Sequence, residues 1–381
     1  MRRLYIHQLA DWPHFQWDQQ HITDLLARVR HEQGRLVGRV EGLGLSLRQE
    51  AELKTLTLDV LKSSEIEGEI LDAGQVRSSV ARRLGLDIGG LEAVDRHVDG
   101  LVEMMLDATR RYQEPLTKER LFDWHAAMFP QAEGATKSGR SGMTRITVGA
   151  WRTDSAGPVQ VVSGPLGREN VHFEAPAASL LDREIEMFLQ WLEGETESDP
   201  VLKAALAHLW FVTIHPFDDG NGRLARAITD MMLARSEQSS QRFYSMSTQI
   251  RLERKGYYEI LERTQSGSLD ITAWCEWFLE CLSRAIHGAQ DTLSSVLHKA
   301  DFWEGLRSEA VNPRQRKMLN LILDGEFRGK LTTSKWAKMT KCSQDTAHRD
   351  ILDLIERGAL KKDPGGGRST SYSLADQQNH S

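Results

Sequence analysis

Apolar side chains recur every three or four residues along most of this 381-residue chain, which is the pattern of amphipathic helices. Helices of this kind are predicted over residues 19–34, 46–64, 116–129 and 271–300. Asp199 and Pro200 supply an N-cap and a first helical residue to 201–214, a stretch that is apolar on nearly all sides. The predicted fold class is therefore mainly α, with 201–214 as its central buried helix.

The helical period is lost between residues 131 and 176. Val159, Val161 and Val162 are strand formers that follow a turn in this interval, so a β-hairpin is predicted over 149–164. A hairpin in a helical protein has an open edge, which can hold an extended segment of another protein through backbone hydrogen bonds. The alternative is an ordinary surface hairpin.

The chain changes character after Pro313, where three short helices and a glycine-rich hairpin are predicted over 313–375. Between residues 313 and 370 thirteen Lys and Arg stand against seven Asp and Glu, although the whole chain has a net charge of −6. This order of elements resembles a winged helix-turn-helix domain, whose third helix would enter a DNA major groove. The predicted base or phosphate contacts are Gln344, Thr346, His348 and Arg349, with Lys361, Lys362 and Arg368 on the wing. The alternative is a protein-interaction or dimerisation module of the same fold, which would give a homodimer.

The segment from His215 to Arg226 carries the densest chemistry of the chain. Its Gly-Asn-Gly turn directly precedes a helical sequence, and a glycine turn at a helix N-terminus directs free N–H groups at one spot, which suits an oligophosphate. Arg223 and Arg226 lie one turn apart, so both can reach the same anion. Asp219 is placed to hold Mg²⁺, and His215 is the group that can accept a proton near neutral pH.

This segment resembles the signature of the Fic family, His-x-Phe-x-(Asp/Glu)-Gly-Asn-Gly-Arg-x-x-Arg, and matches it at every specified position. The resemblance implies a Fic-type helical bundle that moves AMP from ATP onto a Ser, Thr or Tyr hydroxyl of a protein. The hairpin over 149–164 would be the flap that positions the target hydroxyl. The implied roles are general base for His215, Mg²⁺ ligand for Asp219, and phosphate binding for Gly220, Asn221, Gly222, Arg223 and Arg226. Tyr257 or Tyr258 would lie beside the adenine, because their segment resembles one that does so in the family.

A second resemblance concerns the stretch from Ser63 to Gly68, which is similar to the family's inhibitory motif (Ser/Thr)-x-x-x-Glu-(Gly/Asn). It implies that Ser63, Glu67 and Gly68 form a brake, because a carboxylate against Arg226 would occupy the guanidinium that should hold the γ-phosphate. The alternative is a plain helix end with Gly68 just beyond it.

Three domains are predicted: an N-terminal helical domain over 1–110, a catalytic domain over 111–300 and the winged domain over 313–375. The stretch from Trp12 to Asp18 resembles the N-terminal domain of one subgroup of Fic proteins. The chain lacks a run of about 18 apolar residues and an apolar stretch near its start, so neither a membrane span nor secretion is expected. Its three cysteines lack metal-type spacing, and a reducing cytoplasm is the expected location.

Three functions are compatible with these patterns. One is an autoinhibited protein adenylyltransferase that uses ATP and Mg²⁺. Another is an enzyme that removes AMP from a modified protein, with Glu67 orienting a water molecule. The third is a DNA-binding regulator whose Fic-like domain senses a nucleotide.

Overall fold

The structure is a computed structural model that describes residues 4–88, 90–130, 136–139, 142–155, 157–163, 170–195, 198–306, 311–325, 327, 329–364 and 370–375. The α-helices of these residues are α1 (Gln19–Glu41), α2 (Leu45–Ile66), α3 (Ala73–Leu84), α4 (Arg96–Arg110), α5 (Lys118–Met128), α6 (Leu181–Glu193), α7 (Pro200–Ile214), α8 (Asn221–Glu237), α9 (Met246–Leu252), α10 (Arg254–Gln265), α11 (Thr272–Gly305), α12 (Pro313–Leu323), α13 (Thr333–Thr340) and α14 (Gln344–Glu356). The β-strands are β1 (Thr136–Gly139), β2 (Gly142–Arg145), β3 (Gln160–Ser163), β4 (Asn170–Glu174), β5 (Leu360–Lys362) and β6 (Tyr372–Leu374). The mainly α prediction is confirmed.

The predicted end of the first helix is wrong. Helix α1 continues past Gly34 to Glu41 because Leu36 and Val40 extend its buried apolar face by two further turns. Burial of that face outweighs the weak helix propensity of glycine. None of the described helices combines the length and the apolar character needed to cross a bilayer.

The chain divides into two compact units. The first unit comprises residues 1–43, 52–86 and 92–289, and the second comprises 44–51, 87–91 and 290–381. Residues on both sides of the boundary predicted at 110 lie in the first unit. The division of this unit into an N-terminal and a catalytic domain stays a prediction.

Helices α7 and α8 form the centre of the first unit. The side chain of Asp199 accepts a hydrogen bond from the Val201 amide and Pro200 occupies the first turn, which fixes the start of α7. Every residue of α7 from Val201 to Ile214 is buried, as predicted for the central helix. Its neighbour α8 is buried from Arg223 to Ala234. The segment that joins the two helices is therefore held at both ends by the core.

The β-hairpin predicted over 149–164 lies further along the chain. Strands β3 and β4 pair antiparallel, with Val161 opposite Phe173, so the paired residues are 160–163 and 170–174 and the predicted boundaries are wrong. Phe173 is buried and anchors the second strand, whereas Val161 and Val162 are exposed. The sequence analysis also missed the short hairpin of β1 and β2.

The second unit contains the three predicted C-terminal helices and the predicted hairpin of β5 and β6. Its core is formed by residues that include Phe302, Met318, Leu319, Trp336, Ile351, Leu354 and Tyr372. The Ser343 side chain caps α14 by accepting a hydrogen bond from the Thr346 amide, as predicted. Arg314 and Asn312 both donate to the carboxylate of Asp350, which ties α14 to the start of α12. The assignment of this unit as a winged helix-turn-helix stays a prediction.

Candidate functional site

His215 lies immediately after α7 and adopts a left-handed backbone conformation with φ of 51°. Its amide still donates to the Phe211 carbonyl, so the helix is complete up to this residue. The imidazole Nδ1 lies 3.3 Å from the Val212 carbonyl oxygen, which can only accept a hydrogen bond. Nδ1 must therefore carry the proton, and the lone pair is on Nε2. Burial lowers the pKa of His215 to about 4, so the ring is neutral at pH 7 and able to accept a proton.

The loop between His215 and α8 is fixed by the side chain of Asn221. Its amide group accepts from the Phe217 N–H at 3.0 Å and donates to the Phe217 carbonyl at 2.8 Å. Phe217 is fully buried and stacks on His125, with ring centroids 4.2 Å apart. The Asn221 side chain therefore holds the loop, and only its backbone N–H remains for the predicted phosphate contact.

His125 is buried and bridges two segments. Its Nε2 lies 3.2 Å from the Asp219 carbonyl oxygen and its Nδ1 accepts from the Gly149 amide at 3.2 Å. Because one nitrogen must donate and the other accept, the ring is neutral, and burial lowers its pKa to about 4. His125 thus joins the loop before α8 to the segment that leads to the hairpin.

Helix α8 begins without a capping side chain. Gly220 has φ of 81°, a conformation that favours glycine, and this N-cap residue has no side chain to cap the first amides of the helix. Uncapped amides at a helix N-terminus are an anion-binding arrangement. Arg226 Nη1 and Arg223 Nε are also buried without a hydrogen-bond partner among the described residues. A β-carbon at Gly222 would lie 3.2 Å from Arg226 Nη1, so this unpaired donor adjoins the start of α8.

Asp219 is the carboxylate that the motif offers to a metal. One of its oxygens accepts from the Gly220 amide at 2.9 Å, which orients the group at the start of α8. The described residues hold no group of three or more His, Cys, Asp or Glu side chains that could enclose a metal ion. Mg²⁺ usually takes one or two carboxylates and completes its shell with water and phosphate oxygens, so Asp219 fits a metal that arrives with a nucleotide.

Arg226 is bound by the end of α2. Its guanidinium donates to Ser63 Oγ at 2.9 Å, to the Ser63 carbonyl at 2.9 Å and to Glu67 Oε1 at 2.8 Å. The same Glu67 oxygen occupies the space beside Gly222, where a β-carbon would collide with it. The structure therefore brings Ser63 and Glu67 to Arg226 and places a carboxylate against the start of α8.

Gly68 shapes this end of α2. It has φ of 88°, its amide donates to the Glu65 carbonyl, and the Glu69 amide donates to the Ser64 carbonyl. This is a Schellman motif, in which a left-handed glycine ends the helix. The plain helix end that was the alternative is thus present together with the Glu67–Arg226 contact, because the helix end delivers Glu67 to Arg226.

Glu69 is a site residue that the sequence analysis missed. Its Oε2 pairs with Arg223 Nη1 at 2.9 Å, and its Oε1 pairs with His97 Nε2 at 2.5 Å. The hydrogen bond from His97 lowers the pKa of the Glu69 carboxyl, and Glu69 raises the pKa of His97. Both arginines of the motif are therefore paired with acids from one short segment. A second acid two residues after Glu67 was the available signal.

The two tyrosines differ in their surroundings. Tyr257 is buried, and its hydroxyl lies 2.8 Å from His208 Nε2 in the core beside α7. Tyr258 is 39% exposed and its hydroxyl donates to the Ile66 carbonyl at 3.4 Å. Tyr258 is the more exposed of the two, and the adenine contact of Tyr257 or Tyr258 stays a prediction.

The predicted DNA contacts lie in the second unit. Gln344, His348 and Arg349 are exposed on α14, while Thr346 is half-buried beside the capping Ser343. Lys361 and Lys362 are exposed on β5, and Arg368 lies outside the described residues. Helix α14 also carries Asp345, Asp350, Asp353 and Glu356. This excess of acids on the helix does not favour insertion beside DNA phosphates.

Comparisons with known proteins agree with this geometry. Residues 5–86 match the family described as Domain of unknown function (DUF4172), and residues 115–233 match the Fic/DOC family. A protein adenylyltransferase Fic from Drosophila grimshawi is 25% identical over 233 residues, which cover 60% of this chain and 41% of the relative. A protein adenylyltransferase Fic from Nematostella vectensis is 33% identical over 113 residues, which cover 29% of this chain and 25% of the relative.

The chain spans about two fifths of the length of the first of these relatives. A crystal structure of a Fic family protein from Desulfovibrio desulfuricans G20 shares the fold with a TM-score of 0.53 and 21% identity, and it covers 95% of this chain and 98% of its own. The family match includes His215 and the motif up to Arg226. The chain therefore contains a Fic/DOC family domain, preceded by a DUF4172 domain.

Proposed function

We propose that this chain is an autoinhibited protein adenylyltransferase, which transfers AMP from ATP to a Ser, Thr or Tyr hydroxyl of a protein target or of itself. The observation that carries this proposal is that Nη1 of buried Arg226, which has no hydrogen-bond partner among the described residues, adjoins the start of α8. A neutral histidine in the same motif as a helix N-terminus and a buried arginine suits phosphoryl transfer to a hydroxyl. The names of the relatives, protein adenylyltransferase Fic, support the same reaction.

His215 would act on the target hydroxyl. Its Nε2 accepts the hydroxyl proton while the oxygen forms a bond to the α-phosphorus of ATP. The bond between the α-phosphorus and the bridging oxygen breaks, and pyrophosphate leaves with the electron pair of that bond. The hydrogen bond from Nδ1 to the Val212 carbonyl keeps the lone pair on Nε2 throughout the approach.

The start of α8 and the two arginines would hold the phosphates. The amides of Asn221 and Gly222 point their N–H groups at the oligophosphate, and Arg226 donates to its terminal group. Asp219 would hold Mg²⁺, which supplies positive charge against the charge that develops on the leaving pyrophosphate. The exposed hairpin of β3 and β4 would align the target segment through its open edge.

Glu67 would act as a brake on this reaction. Its carboxylate is a charged partner for Arg226 and lies in the space beside Gly222, where we place a nucleotide phosphate. ATP must displace this contact before its γ-phosphate can reach Arg226, so the wild-type chain is weakly active. DNA binding and a homodimer remain predictions for the second unit.

The test is incubation with α-labelled ATP and Mg²⁺, alone and with a cell lysate. The variant Glu67→Gly is expected to transfer label to itself or to a target more strongly than the wild type. Adding His215→Ala to Glu67→Gly is expected to remove the signal. Mass spectrometry of the labelled peptide identifies the transferred group and the modified side chain.

A matched control is Glu65→Gly, which removes a carboxylate of the same helix end that pairs with Lys62 rather than with Arg226. It is expected to behave as the wild type. Absence of label with every variant, including Glu67→Gly, would refute adenylyl transfer. If Glu67→Gly instead loses the ability to release AMP from a modified protein that the wild type demodifies, AMP removal is the function.

A further inference from the structure

Arg152 is a fully buried arginine that lies just before the hairpin, and its side chain has no exposed surface. Its Nε donates to the His215 carbonyl at 2.7 Å, and its backbone amide donates to the Pro216 carbonyl at 3.0 Å. A buried guanidinium normally needs a charged partner, and Asp154 supplies it at 2.9 Å from Nη1. Arg152 thus contacts two successive carbonyls, that of the predicted base through its side chain and that of Pro216 through its backbone amide.

The contact to His215 matters because of the backbone conformation at that residue. A left-handed conformation is unfavourable for a non-glycine residue and persists only where the surroundings impose it. With φ of 51°, the His215 carbonyl leaves the direction of the α7 axis and meets the guanidinium of Arg152. The direction of the imidazole depends on this backbone conformation. Arg152 therefore holds the ring where its Nδ1 reaches the Val212 carbonyl.

The same guanidinium also contacts the segment that follows the hairpin. Arg152 Nη2 donates to the Pro176 carbonyl at 2.5 Å, and the partner Asp154 accepts from the Ala178 amide through its other oxygen at 2.5 Å. Arg152 and Asp154 precede β3, whereas Pro176 and Ala178 follow β4. The Arg152–Asp154 pair therefore closes the base of the hairpin and attaches it to the backbone of His215.

We propose that Arg152 is a positioning residue. It sets the tautomer and direction of the His215 imidazole and attaches the base of the hairpin to the His215 backbone. This inference deepens the proposed function, on which it rests for its kinetic part. The Arg152 side chain has no exposed surface to offer a nucleotide or a target, and it acts through the His215 carbonyl and the Pro176 carbonyl. A lysine at this position keeps the charge but cannot make the three side-chain contacts at once, since it lacks the planar fork of arginine.

The first test does not depend on activity. The protein is labelled with ¹⁵N-histidine, and the imidazole signals of His215 are assigned by comparison with His215→Gln. The wild type is expected to show the neutral tautomer with the proton on Nδ1. In Arg152→Lys the His215 signals are expected to shift towards a mixture of tautomers, while the signals of His125 and His208 stay in place.

The second test measures transfer and nucleotide binding in the Glu67→Gly background. A misplaced reacting group costs about a hundredfold in rate, so Arg152→Lys is expected to lower AMP transfer by that factor while the affinity for ATP stays within twofold. The matched control is Arg120→Lys, because Arg120 is also a buried arginine bound to a carboxylate and to backbone carbonyls, on α5. It is expected to leave the His215 signals and the transfer rate unchanged.

Folded Arg152→Lys protein with unchanged His215 signals would overturn the proposal. If Arg152→Lys does not fold, Asp154→Asn provides the second variant, because it weakens the hold on Arg152 while keeping the shape of the side chain. Asp154→Asn with wild-type His215 signals would overturn the proposal equally. A shift of the His215 signals without AMP transfer by any variant would uphold the positioning role and refute the proposed reaction.

Discussion

The segment from His215 to Arg226 and the segment from Ser63 to Glu69 meet at one site but are held in different ways. In the first, Phe217, Asn221 and Arg226 are almost completely buried, and backbone conformation fixes the geometry. In the second, the acids reach the site with side chains that are still about a third exposed, 32% for Glu67 and 34% for Glu69. The first segment is part of the core, whereas the second contacts it through charged side chains that remain partly exposed.

The largest expected effect comes from the segment from His215 to Arg226. In the Glu67→Gly background, His215→Ala is expected to lower the rate of AMP transfer by about 10²–10⁴-fold, because a general base contributes that much. The measurement is the incorporation of labelled AMP at saturating ATP. Nucleotide affinity should be nearly unchanged. A parallel loss of ATP binding would mean that His215 supports the fold of the loop instead of accepting a proton.

The next effect has the opposite sign and comes from the segment from Ser63 to Glu69. Glu67→Gly is expected to raise the transfer rate or the ATP affinity by about tenfold to a hundredfold, since a hydrogen bond to a charged group contributes about 1.5–3 kcal/mol. Titration with ATP in the wild type and the variant checks this. Equal ATP affinity and equal rate in the two proteins would show that the Glu67–Arg226 contact does not restrain the site.

Acid is expected to destabilise the protein through His208, a buried histidine of α7, the helix that precedes the segment from His215 to Arg226. Burial lowers the pKa of His208 to about 3 from the ordinary 6.5, so the unfolded chain binds the extra proton between these values. The stability contributed by neutral His208 is complete above pH 6.5 and is lost as the pH falls, by about 2 kcal/mol at pH 5. Urea unfolding of the wild type and of His208→Gln at pH 7.5 and 5 measures it. A stability difference between the two proteins that does not change with pH would contradict the prediction.

The smallest effect concerns Glu69. Glu69→Gln removes the charge that pairs with Arg223. Because the Glu69 side chain is 34% exposed, the pair is expected to contribute about 0.2–1 kcal/mol, so ATP affinity is expected to rise by at most about fivefold. Isothermal titration of Glu67→Gly with and without Glu69→Gln isolates this contribution. A larger gain than that from Glu67→Gly would reverse the ranking of the two acids.

Local sequence patterns predicted the parts of the site that are contiguous in the chain. The run from His215 to Arg226 indicates its chemistry because the base, the turn and the arginines follow one another in the sequence. The residues of the Ser63 to Gly68 stretch are also close in sequence, so their pattern could be recognised. Glu69, His97 and Arg152 were not predicted as site residues, because each contacts a residue that is distant in the sequence. No periodicity indicates which buried arginine meets a particular carbonyl.

The fold shows the same division. Helix α7 was predicted within one residue, whereas α1, which also has an N-cap and an apolar face, extends to Glu41, well beyond its predicted end. The hairpin was misplaced because its second strand, β4, is recognisable mainly from its pairing with β3 and from the burial of Phe173. Pairing is a property of the folded chain, and it leaves little trace in a single strand.

Because Gly222 has no side chain, the space beside it can be occupied by another group. Under the proposed function, the carboxylate of Glu67 and a nucleotide phosphate require the same space beside this glycine, so the covered and the loaded states exclude each other. The apparent affinity for ATP is then the intrinsic affinity multiplied by the uncovered fraction. A partner that binds the segment from Ser63 to Glu69 when Glu67 is away from Arg226 would raise the apparent affinity for ATP. By linkage, ATP would raise the affinity for that partner by an equal factor.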